Sequence, residues 1–130
     1  MKKPKIVMKV TKEEIGYSAQ TKIGNKFIAT EGDNFEELKK NILEAVHLAF
    51  EDESFTFSSE EIKFEMDVSS FFEFYKVINA KALSDRIGMS QSLLAQYIKG
   101  IKKPSSAQLQ RILNGVQQIG KELVEIRFMM

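Results

Sequence analysis

The spacing of apolar residues changes character once along this chain. In the first half, β-branched and apolar residues cluster in short runs at Ile6 to Val10, Tyr17 to Thr21 and Phe27 to Thr30. Such runs, bounded by turn residues, predict strands. The charged segment Lys12 to Gly16 separates the first two, and Gly24-Asn25 makes a tight hairpin between the second and third. Phe35, Leu38, Ile42, Val46, Ala49 and Phe50 then recur at helical spacing, an amphipathic stripe that the three strands must cover. Asn34 sits where a helix cap is needed, with Glu37 at the capping-box position. Glu51-Asp52-Glu53 closes this helix with charge of the wrong sign for its dipole. Ile62 to Met66 alternates strictly and predicts a fourth strand.

Beyond Asp67 the period is helical. Asp67-Val68-Ser69-Ser70 leads into a predicted helix from Phe71 to Ile78, with Phe71, Phe74, Tyr75 and Ile78 on one face. Asn79 to Pro104 reads as two short helices joined at Gly88. Leu83, Ile87, Met89, Leu94 and Tyr97 are spaced to close the pair on itself, which is a helix-turn-helix pattern. Pro104-Ser105-Ser106 opens a further helix, with Ser105 and Gln108 in capping-box spacing and Leu109, Ile112, Leu113, Val116 and Ile119 along one side. Gly115 and Gly120 weaken that helix, each by ~1 kcal/mol relative to Ala. Leu123 to Met130 either continues it or, alternating, forms a short strand; an apolar tail of this kind is expected to be buried by self-association. The fold class is therefore α+β. A βββαβ antiparallel sheet with one packed helix spans residues 1–67, and an all-helical helix-turn-helix domain spans 68–130.

The chemistry of the second helix of the pair points to DNA. Ser90 caps it, which puts Gln91 and Ser92 in its first turn and Gln96 one turn on, all on the side away from the core. Short polar side chains there can bond base edges, Gln pairing bidentately with adenine. Lys99, Lys102 and Lys103 flank the helix in a basic loop suited to phosphate. Charge agrees with this division. Residues 81–130 hold eight Lys or Arg against three Asp or Glu, a balance of +5, while residues 1–80 hold eleven against fifteen, a balance of −4. The basic part suits a polyanion and the acidic part a basic protein.

Catalytic signals are missing. The one histidine, His47, lies mid-helix with no partner for general-base work and reads as structural. The pairs Glu13-Glu14, Glu36-Glu37 and Glu60-Glu61 fall at turns or helix starts, where solvated charge is the default. The chain has no cysteine, no phosphate-cradling glycine loop and no nucleophile elbow. A protein that is not an enzyme and needs no metal or cofactor is expected. The basic opening MKKPKIVMKV lacks the apolar run of a signal peptide, and nothing approaches the ~20 apolar residues of a membrane span. The expectation is a cytoplasmic protein.

Gly16-Tyr17-Ser18-Ala19, followed by Thr30-Glu31-Gly32-Asp33-Asn34-Phe35-Glu36-Glu37-Leu38, resembles HicB-like antitoxins. That family's longer Pro- and Gly-containing segment is replaced here by Ile23 to Ala29. SQSLLAQYIKGIKKPS is similar to the phage-repressor-type helix-turn-helix that some members carry, with Ser84 where a small Ala is customary and Ala80 where a phosphate-binding Gln is. The resemblance implies a partial, inactive ribonuclease-H-like domain that blocks a small basic RNA-cleaving toxin of the HicA type. It also implies a DNA-binding domain that represses the pair's operon as a homodimer or higher even oligomer. Under that reading Glu36, Glu44, Glu51, Asp52 and Glu53, which lie off the apolar stripe, are the candidate toxin contacts. The alternative is a stand-alone regulator whose first domain senses a ligand or only dimerises.

Overall fold

The computed structural model describes residues 2–130, which divide into two compact units, one ending at Ser70 and one starting at Phe71. The first unit is built on four strands: β1 (Ile6–Lys12), β2 (Tyr17–Ile23), β3 (Lys26–Gly32) and β4 (Ile62–Met66). They lie in the order β3-β2-β1-β4. β1 to β3 form the expected antiparallel meander, with Lys9 opposite Gln20 and Thr21 opposite Ile28. Each of these strands runs on by one to three residues past its apolar run. Thr11 and Lys12 are held in the ladder by pairing with Ser18 and Tyr17, so backbone hydrogen bonding sets the ends.

β4 corrects the expectation of a purely antiparallel sheet. It pairs parallel to β1, Ile6 opposite Ile62 and Val10 opposite Met66, so the sheet is mixed. The chain direction explains this. Helix α1 (Phe35–Ala49) carries the chain back along the sheet after β3, so β4 must leave in the direction of β3, which is also that of β1. β4 joins the sheet beside β1, across β2 and β1 from where β3 ends, and that lateral step is a crossover connection.

α1 covers one face of the sheet. Leu38, Ile42 and Val46 are fully buried, opposite Ile6, Met8, Val10, Ala19 and Ile28. Its first turn is closed by Asn34, whose Oδ1 accepts from the Glu37 N–H at 2.8 Å. The helix seats hard against the end of β3. A Cβ on Gly32 would stand 2.6 Å from the Leu38 nitrogen, and one on Gly16 would stand 2.5 Å from the Gly32 carbonyl oxygen. These two glycines let strand, turn and helix meet without side chains between them.

The acidic end of α1 has a physical account in the structure. Glu51–Glu53 is a separate 3-10 turn, and Lys26 reaches over from β3 to donate to the Ala49 carbonyl at 2.9 Å. The same ammonium pairs with Glu53 at 3.2 Å and lies 5.3 Å from the centre of the Phe50 ring. A cation thus sits at the helix C-terminus, where the dipole calls for one. His47 is engaged by backbone: its Nε2 lies 3.1 Å from the Phe57 nitrogen and 3.0 Å from the Phe57 oxygen.

From Val68 on the chain is helical. α2 (Val68–Phe74) lies across the division between the units. It starts before the predicted Phe71 because the Ser70 N–H donates to the Asp67 carboxylate at 2.7 Å and makes Asp67 the cap, and it ends at Phe74, short of the predicted Ile78. α3 (Ala80–Ile87), α4 (Gln91–Lys99) and α5 (Ser106–Glu125) follow. Leu83, Met89, Leu94, Tyr97 and Ile112 form their buried core.

α5 packs closely on α3. Gly115 is a contact point as well as a cost in helix propensity: a Cβ there would collide with the Ile87 side chain and stand 3.4 Å from Leu83, so α5 approaches α3 at this residue. The helix ends at Glu125, and residues 126–130 take no regular structure, neither helix nor strand. Within the single chain these tail residues are open: Leu123 is 63% exposed, Val124 75% and Phe128 87%. Among the described residues no helix is long and apolar enough to cross a membrane.

Candidate nucleic-acid interface

α3 and α4 are short helices fixed by their ends. Asn79 caps α3 by accepting from the Ala82 N–H at 3.0 Å. Ser84, where the resembled family has Ala, is fully buried, and its hydroxyl donates to the Lys81 carbonyl at 2.7 Å. A buried polar group satisfied within its own helix costs little. Gly88 ends α3 in the left-handed conformation, φ 69°, and the Met89 N–H returns to the Ser84 carbonyl at 2.9 Å. This closure satisfies the last carbonyls of α3 and turns the chain sharply. Met89 is buried and anchors the turn in the core.

One residue later Ser90 caps α4, its Oγ accepting from the Leu93 N–H at 3.1 Å. Leu94 and Tyr97 face inward and are buried, which fixes the rotation of the helix about its axis. Gln91, Ser92, Gln96 and Lys99 are all exposed. Ser92, Gln96 and Lys99 stand at i, i+4 and i+7 and so form one row, with Gln91 beside it at the N-terminal end. The loop after α4 is tied to its last turn. Gly100 N–H donates to the Tyr97 carbonyl at 3.1 Å, and the N–H groups of Ile101 and Lys102 converge on the Gln96 carbonyl at 3.0 and 3.3 Å. Lys102 and Lys103 are exposed on that loop. The structure therefore brings Gln91, Ser92, Gln96, Lys99, Lys102 and Lys103 onto α4 and its immediate exit, with Ser90 as the cap.

Two residues with no signal in the apolar spacing hold this pair of helices to α5. The Arg111 guanidinium donates from Nε to the Ile87 carbonyl at 3.0 Å and from Nη2 to the Gly88 carbonyl at 2.6 Å. Arg86 pairs with Glu122, and that hydrogen bond, with a second from Gln118, holds the Glu122 carboxyl below its usual range.

The acidic candidates of the first unit are not gathered into one cluster. Glu36 and Glu44 are exposed on α1, two turns and so ~12 Å apart. Glu36 pairs with Lys39 at 3.0 Å. Glu51 and Asp52 are exposed on the 3-10 turn, whereas Glu53 is folded in against Lys26, and its second oxygen is buried with no hydrogen-bond partner.

Residues 78–119, about a third of the chain, match the family model described as helix-turn-helix. No curated protein and no solved structure matches the chain. The span matched runs from just before the cap of α3 to Ile119 on α5, and this part of the molecule is a helix-turn-helix of the kind found in DNA-binding transcription regulators.

Proposed function

We propose that the protein represses its own operon by binding DNA through α4 and neutralises a small basic RNA-cleaving toxin of the HicA type through its first unit. The observation that carries the DNA half is the row Ser92, Gln96, Lys99 with Gln91 beside it, exposed on a helix whose opposite side is locked into the core. Gln91, Ser92 and Gln96 read base edges in the major groove, and Lys99, Lys102 and Lys103 hold phosphates on either side. Recognition of a two-fold operator calls for two copies, and the exposed apolar residues Val124, Ile126 and Phe128 are the surface that joins them. Residues 1–67 act as the toxin-binding domain and 68–130 as the DNA-binding domain, both in the cytoplasm.

The toxin half rests on the resemblance to HicB-like antitoxins and on the place of the residues that carry it. Gly16 and Gly32 lie where β2, β3 and α1 converge. Glu36, Glu44, Glu51 and Asp52 supply exposed carboxylates for a basic partner, and electrostatic steering would speed the encounter. Glu53 takes part only if Lys26 releases it.

The test is co-expression of the full chain with the product of the neighbouring reading frame. The proposal expects a complex that survives purification and suppresses RNA cleavage by that product. A chain that binds the DNA upstream of its gene but forms no such complex would instead be a stand-alone regulator with a ligand-sensing or dimerising first domain.

A further inference from the structure

Arg111 lies on α5, away from the row Ser92, Gln96 and Lys99, yet its side chain ends on the turn that aims α4. Ile87 is the last residue of α3 and Gly88 its left-handed cap. Carbonyls at a helix C-terminus lack helical partners and carry the negative end of the dipole. Arg111 meets two of them along one edge of its guanidinium, at 3.0 and 2.6 Å. Two bonds from adjacent nitrogens of one rigid planar group fix orientation as well as position, which a lysine ammonium does not do. Gly88 leaves room for this grip, since a Cβ there would stand 3.2 Å from Arg111 Nη2. Further along the same face of α5, Gly115 lets the helix close on the Ile87 side chain and Glu122 pairs with Arg86. Three positions of α5 thus bear on the last turn of α3, and Arg111 is the one that reaches the turn itself.

We propose that Arg111 is a positioning residue for DNA reading: its guanidinium fixes the turn between α3 and α4 and thereby the angle at which α4 enters the groove. The proposal rests on the reading of α4 as the base-reading helix. Its lever arm makes the effect large. Gln96 lies six residues beyond Ser90, ~9 Å along the helix. A tilt of about 10° at the turn moves it by about 1.6 Å, well outside the few tenths of an ångström that a base hydrogen bond tolerates. Long, flexible lysines follow a phosphate through the same displacement. Loosening the turn should therefore cost discrimination between sequences far more than it costs attachment to DNA.

The experiment compares wild type with Arg111→Lys and Arg111→Gln, full-length, on two duplexes: one recovered by wild-type selection from random sequence, and a scrambled one of equal composition. Salt dependence and thermal unfolding are recorded for each, and binding is measured well below every melting temperature. Both variants should lose at least about fivefold in the ratio of the two affinities, the value of roughly one good base contact. Arg111→Lys should keep its affinity for the scrambled duplex within about twofold and its salt slope unchanged. Equal losses on both duplexes with a slope lower by about one would make Arg111 a phosphate contact and overturn the proposal. A lower melting temperature with the ratio intact would make it merely structural and also overturn it. A wild type that selects no sequence at all would remove the base-reading assignment of α4 and the proposal with it, an outcome recognisable before any variant is made.

Discussion

At the scale of single residues, the two glycines of α5 are chemically equivalent in the sequence and opposite in the structure. A Cβ at Gly115 collides with Ile87, while at Gly120 nothing lies within 4 Å. Gly115→Ala should therefore destabilise by about 1–3 kcal/mol through overpacking. Gly120→Ala should stabilise by up to about 1 kcal/mol through helix propensity. Urea unfolding of both variants checks the pair, and two shifts of the same sign would refute the close approach at Gly115. The Arg86–Glu122 pair gives a pH prediction. The Glu122 carboxyl titrates below its usual 4.5, first because Arg86 bonds it and then because Gln118 does. A lowered folded-state value means the stabilisation is complete above about pH 4.5 and disappears as pH falls through that lowered value. The stability difference between wild type and Glu122→Gln should thus be present at pH 7 and shrink as pH falls below about 4.5; a difference that stays constant through the acid range would mean the pair is held by packing. Caps and core positions are legible in the sequence, because Asn34, Ser90 and Ser105 bond the N–H groups three residues on as their chemistry dictates. Arg111 and Lys26 were not legible, since each bonds carbonyls 23 or 24 residues away and no local spacing encodes that.

At the scale of elements, β4 was readable by its alternation, and its partner and direction were not. Period-two spacing says that a strand has one buried face and is silent on which neighbour it takes. The parallel pairing with β1 follows only once α1 is known to return along the sheet. The acidic 3-10 turn after α1 shows the same limit, because its neutralising lysine arrives from another strand. The basic loop after α4 is the element with the sharpest prediction. Gly100, Ile101 and Lys102 are tied by their N–H groups to α4, so Lys102 and Lys103 move with the helix. Replacing both by Ala should reduce the log–log salt slope of DNA binding by about two and leave sequence preference unchanged. An unchanged slope would make the loop a solvated turn.

For the molecule as a whole, the change from strand to helical period and the change of charge from −4 to +5 both mark a chain of two parts. The structure divides into two compact units as well. For the tail, an apolar stripe says that a surface wants cover and not whether the same chain provides it. Val124, Ile126 and Phe128 are open in the single chain. If they join two protomers, removing residues 124–130 should give a monomer by sedimentation and a steep loss of operator affinity. A truncated chain that stays dimeric would put the interface elsewhere. The central claim, that α4 reads bases from this scaffold, is tested most directly by selecting bound duplexes from random-sequence DNA with wild type and with a Gln91→Ala, Gln96→Ala variant. The account predicts that wild type enriches a two-fold-symmetric sequence with half-sites ~34 Å apart or a multiple of it. It predicts that the variant still folds and binds the pool but loses that enrichment. A wild type that enriches nothing, or a variant that enriches the same sequence as strongly, would contradict it.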